Sequence, residues 1–164
     1  MGLAAIERET RRRTGLSQEK FGRLLNVSRS LVAMAEVGKR SYPEECDKKL
    51  SSLSWKKALQ IADDRSNGYI TNILKLFPNM DLHPAALKEI LLRDLETAHK
   101  ELEELQVAKH FDTEKRKAKA KQIYVNLLKV ESVSAVIRGV FEDEFQLNRE
   151  EIMKEFEKQI KNKR

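Results

Sequence analysis

GLSQEKFGRLLNVSRSLVAMAEVGKR, residues 15–40, is the stretch whose reading decides the fold. Ser17 precedes a short apolar pattern of Phe21, Leu24 and Leu25, and its hydroxyl can accept an orphan amide in the first turn of a helix. Asn26 stands where the chain must reverse, and asparagine tolerates the left-handed conformation better than any residue but glycine. Ser28 restarts a helix two residues on. In that second helix Val32 and Ala35 face back toward Phe21 and Leu25, which leaves Arg29, Ser30, Ala33 and Met34 on the outer side. The stretch thus predicts two short helices joined by a tight turn, with an outward face that a DNA groove would meet.

The ordered series Leu16-Ser17-Gln18, Phe21-Gly22, Val27-Ser28-Arg29-Ser30, and Glu36 followed by Gly38-Lys39-Arg40 resembles the lambda-repressor-like (Cro/CI or XRE type) helix-turn-helix family. The resemblance covers about the first third of the chain. It implies a five-helix DNA-binding domain in which Gln18 grips the DNA backbone and Arg29, Ser30, Ala33 and Met34 face the bases. Ser28, Lys39 and Arg40 join Gln18 as expected backbone contacts, since helix N-termini offer free amides to phosphates and lysine and arginine neutralise them. The outer positions depart from the family pattern: Leu31, Ala33 and Met34 are apolar where relatives place threonine, serine, glutamine or arginine. Arg29 is the one side chain suited to bidentate pairing with guanine, worth about 1–3 kcal/mol of discrimination. Thymine methyl contacts and DNA shape carry the rest of the expected specificity.

Charge is concentrated on the same region. Residues 1–43 hold nine Lys or Arg against four acids, a surplus of five, whereas the whole chain has a net charge of +6. A basic excess on the reader is the electrostatic footprint of a duplex binder. Arg11, Arg12 and Arg13 end the first helix, where they serve its dipole equally well.

At 164 residues the chain can hold one medium domain or two small ones. Its 35% charged residues, six glycines and three prolines favour helices, and no alternating apolar run is flanked by hairpin turns. The fold expected is all-α, with 133–141 the one stretch whose β-branched density fits a helix less well. No run approaches the length of a membrane span, the start lacks a secretion signal, and the single cysteine, Cys46, suits a reducing compartment. A cytoplasmic protein with no membrane role is expected.

Beyond the reader, Pro43 predicts a fourth helix over 43–53, proline being well tolerated in a first helical turn. A fifth runs from 55 to 64, with Trp55 or Leu53 filling space beside the small Ala35. The DNA-binding domain is therefore drawn as 1–66 and a connecting helix (69–77) and linker as 67–83. A helical dimerisation or sensing region follows over 84–164. In this last part Leu91, Leu95, Ala98, Leu102 and Leu105 are spaced 4, 3, 4, 3, the seam of a coiled coil, and are the dimerisation candidates. Asp112-Thr113 can cap a second long helix with a like seam through Ala120, Ile123, Leu127, Val130, Ser134, Ile137 and Phe141, giving a hairpin. Asn148 with Glu151 opens a last helix whose apolar face is Ile152, Phe156 and Ile160.

Catalysis finds no support. His83, His99 and His110 lack metal-ligand neighbours, Cys46 has no zinc-type partner, and no phosphate-cradling loop or nucleophile elbow occurs. Neither an enzymatic role nor a metal or cofactor is expected. The expected function is sequence-specific double-stranded DNA binding by a homodimeric transcriptional regulator, most simply a repressor. The alternative is an antitoxin-like protein whose C-terminal helices bind a partner protein, DNA binding serving autoregulation.

Overall fold

Ser17 and Ser28 both cap helices in a computed structural model of the chain, which describes residues 3–107 and 113–162. Ser17 Oγ accepts from the Lys20 amide at 3.3 Å and Ser28 Oγ from the Leu31 amide at 3.2 Å. Between them Asn26 adopts the left-handed conformation at φ 59°. Its amide donates to Arg23 O and the Val27 amide to Gly22 O, so the turn absorbs two carbonyls that the helix end would otherwise leave unpaired. Every regular element among the described residues is a helix. In chain order they are α1 (Leu3–Arg13), α2 (Gln18–Leu25), α3 (Arg29–Glu36), a 3-10 turn at Glu44–Cys46, α4 (Asp47–Leu53), α5 (Trp55–Arg65), α6 (Ile73–Leu76), α7 (Pro84–Val107), α8 (Thr113–Glu144) and α9 (Arg149–Lys161). They form two compact units, Met1–Met80 and Asp81–Arg164.

In the first unit α1 packs on α3, α4 and α5, and α2 packs on α3. Its core joins Phe21, Leu25, Val32 and Ala35 to Tyr42, Cys46 and Leu50. Tyr42 and Leu53 take part in this packing; Trp55 is buried but lies outside the cluster around Ala35. The 43–53 helix begins later than its proline suggests. Pro43 offers no side-chain cap, and residues 44–46 form the tighter 3-10 turn before α4 starts at Asp47. The helix read over 69–77 shrinks to the four residues of α6. Local bonds compete for its start: Ser66 Oγ accepts the Ile70 amide, Asp63 the Asn72 amide, and Asn72 caps Leu74. Asn72 and Leu74 are buried, so residues 69–80 belong to the first unit rather than leading out of it.

The second unit is built on α7 against α8. Lys119 pairs with Glu101 at 2.5 Å and with Glu104, joining the end of α7 to the start of α8, so the two run antiparallel. Residues 133–141 lie inside α8 and are helical, not a strand. The Asp112-Thr113 cap falls outside the described residues, as does His110. The seam drawn from sequence is rotated. Leu87 and Ala98 are fully buried and Leu91, Asp94 and Glu101 half-buried, whereas Leu95, Leu102 and Leu105 stand exposed. On α8 the inward positions are Ile123, Asn126, Val133, Val136 and Ile137, while Leu127 and Phe141 face out. Of the dimerisation candidates, Ala98 is thus consumed within one chain.

Candidate nucleic-acid interface

The α2–turn–α3 pair owes its close approach to Gly22. A Cβ on this residue would come within 2.7 Å of Val27 O, a backbone atom that cannot yield without opening the turn. Glycine here lets α3 begin immediately beside α2. The inner side of α3 is fixed by Val32 and Ala35, both buried, and by Leu31, which packs on the core from its edge.

An acid completes that inner side. Glu36 falls one turn after Val32 and is buried, where an unpaired carboxylate would be costly. Arg11 of α1 meets it with Nε and Nη2, and Gln18 Nε2 donates to Glu36 Oε2 at 2.8 Å. Burial pushes the Glu36 carboxyl up, but the hydrogen bonds from Arg11 and Gln18 outweigh it and hold the carboxyl below its ordinary value. Arg11 Nη1 also donates to Leu16 O at 2.7 Å, and Arg8 Nη2 to Glu36 O. One guanidinium therefore locks α1, the loop before α2 and the end of α3 into a single arrangement. In the sequence Arg11 counts only with the basic excess of the reader or the dipole of the first helix. The signal for its role was Glu36 itself, an acid at an inward helical position that requires a cation from elsewhere.

The residues expected at DNA divide accordingly. Arg29 and Ser30 are exposed at the first turn of α3, with Ser30 Oγ 2.9 Å from Ser28 Oγ. Ala33 and Met34 are half-buried on the same helix. Lys39 and Arg40 are exposed in the loop that follows, positioned by Gly38 at φ 74° and by the Lys39 amide donating to Met34 O. Ser28 spends its side chain on capping. Gln18 turns one N–H of its amide inward to Glu36. Because Ser17 and Ser28 each satisfy only one amide, the other first-turn amides of α2 and α3 remain to be satisfied from outside. Val37, exposed at the end of α3, was not singled out from sequence.

Many cations of the unit are paired with acids. Arg11, Lys56, Lys57, Arg65 and Lys75 are each neutralised, by Glu36, Glu9, Glu7, Glu44 with Asp47, and Asp63 with Asp64 respectively. Lys20, Arg29, Lys39 and Arg40 have no acidic partner among the described residues. Lys119, in the basic run of residues 115–121, is in contrast paired with Glu101 and Glu104.

Among the described residues no group of three His, Cys, Asp or Glu could hold a metal, and no described helix is long and apolar enough to cross a membrane. Cys46 is buried, with burial pushing its thiol up, and its Sγ lies 3.5 Å from Leu25 O. No protein-family model, curated protein or solved structure matches the chain.

Proposed function

We propose that this chain is a sequence-specific double-stranded DNA-binding transcriptional regulator, a cytoplasmic repressor that occludes a promoter. In this reading α1–α5 form a lambda-repressor-like domain, α2 and α3 are its helix-turn-helix, and the α7–α8 hairpin belongs to a helical assembly region. The observation that carries the proposal is the group of exposed cations Lys20, Arg29, Lys39 and Arg40, set on and beside the outer face of α2 and α3 with no acidic partner among the described residues. Unpaired cations at both ends of an exposed helix release counterions when they meet phosphates, which drives duplex binding. Arg29 leads α3 into the major groove, and Ser30, Ala33 and Met34 follow it along the bases. Ser28, Lys39, Arg40 and the amide end of α2 at Gln18 hold the phosphates. Such readers work in pairs about one DNA turn, or a multiple of it, apart, so the proposal includes a homodimer.

Genome-wide occupancy of the intact protein, set beside that of an Arg29→Ala/Ser30→Ala variant, tests this directly. Loss of a bidentate arginine contact costs about 1–3 kcal/mol and relaxes specificity at one position. The double variant is therefore expected to lose its peaks while keeping weak, salt-sensitive duplex binding. Equal occupancy by the two proteins would sink the assignment of α3 as the reading helix.

A further inference from the structure

α9 buries none of its residues, although it carries a continuous apolar stripe of Ile152, Met153, Phe156 and Ile160. It does not hang loosely. Arg149 at its start grips Glu142 of α8 through Nε at 2.9 Å and Nη2 at 2.6 Å, across a turn in which Gln146 is left-handed. Asn148 caps its first amides. The helix is well formed, anchored at one end and bare along its length.

We infer that α9 pairs antiparallel with α9 of a second copy of this chain, across a two-fold axis at Phe156. The pattern is self-complementary: Ile152 and Ile160 stand four residues on either side of Phe156, so an antiparallel copy sets Ile152 against the partner's Ile160. A two-fold contact requires such reciprocity. Charge favours the same direction. Glu150 and Glu151 occupy the first turn and Lys161 the last, so antiparallel copies set acid to base at the helix ends and oppose their helix dipoles, although Glu155 and Glu157 beside the axis meet like charges. The four basic and four acidic residues of α9 cancel, which leaves no net attraction for nucleic acid or an anionic membrane. Area suits a dimer too. These four side chains are each about half exposed and offer roughly 350 Å² of apolar surface per copy. Two copies, with the polar rim that accompanies such a patch, bury roughly 1,200 Å², the low end of specific interfaces. As the source of a second DNA reader this pairing deepens the regulator proposal, but it stands on α9 alone.

Sedimentation of the full-length protein at micromolar concentration is expected to give the two-chain mass. Phe156→Glu is expected to weaken self-association at least tenfold with helical content unchanged, since Phe156 touches little of its own chain. Direction is read by oxidative cross-linking. Phe156→Cys should form a linked dimer, whereas Ile152→Cys should not, its copies lying about 12 Å apart along the axis; mixed with Ile160→Cys it should form the heterodimer. A monomeric wild type, a dimer indifferent to Phe156→Glu, or homotypic linkage of Ile152→Cys would each overturn the pairing. Arg29→Ala should lose site-specific DNA binding yet remain dimeric, so failure of the DNA reading and failure of the pairing are told apart.

Discussion

The two units solve the problem of burial in opposite ways. Among the described residues, four large apolar side chains stand exposed in residues 1–80 and fourteen in residues 81–164. The first unit closes its core and also buries charge, provided each charge meets a partner from a distant part of the sequence. Lys57 reaches Glu7 across fifty residues, Arg11 reaches Glu36 across twenty-five, and Lys75 reaches Asp63. The second unit buries little charge and leaves apolar faces open. On α8 the apolar residues between 123 and 141 fall on every side, and a helix without a polar side is ordinarily covered all round. The first unit is specified by its own polar pairs; the second leaves apolar faces uncovered among the described residues.

The sharpest way to break this contrast is to remove one member of a buried pair. Glu7 and Lys57 are both nearly inaccessible, and burial already pushes the Glu7 carboxyl up against the opposing pull of Lys57. Lys57→Met leaves Glu7 stranded, so it is expected to cost the first unit about 3–5 kcal/mol. Denaturant unfolding of the full chain measures it, and a loss under about 1 kcal/mol would show that the pair is dispensable. A smaller loss, about 1–3 kcal/mol, is expected for Gly22→Ala, because the new methyl meets the Val27 carbonyl and forces α2 and α3 apart. That variant should also lose DNA affinity in proportion to the displaced α3. Unchanged stability would mean that the turn yields and the close approach is not needed.

These sites show what sequence could disclose. The caps at Ser17 and Ser28 and the left-handed Asn26 were readable because each rests on the chemistry of one residue and its immediate neighbours. The Arg11–Glu36 lock was not, since nothing in a spacing of twenty-five residues brings a guanidinium to a carboxylate until three helices have packed. The α7 seam was half readable. Apolar spacing identified the helix and its periodicity, but Leu87 and Glu101, not Leu95 and Leu102, mark the inner side. A run rich in leucine on two faces fixes no rotation by itself; the packing between helices decides which face is buried. α6 fell short for a related reason, because Ser66, Asp63 and Asn72 offered backbone amides better local partners than a helix would.

Asn126 tests the second half of the contrast with the smallest expected effect. It sits on the inward side of α8, almost fully buried, with Nδ2 lacking a partner among the described residues and Oδ1 only 3.4 Å from Lys129 Nζ. A buried amide with an unmet donor costs about 1–3 kcal/mol relative to a satisfied or apolar group. Leucine has the same branched outline and a better helical propensity, though its added bulk offsets part of the gain. Asn126→Leu is therefore expected to stabilise the second unit by about 1 kcal/mol, read as a higher unfolding midpoint. One polar residue inside an apolar helix seam can also select a single register and assembly state. If Asn126 serves that purpose, the same variant gains stability while its sedimentation broadens from one species to several. A loss of stability would instead mean that the amide finds a hydrogen-bond partner in the assembled protein, and the second unit would then share the first unit's reliance on polar pairing.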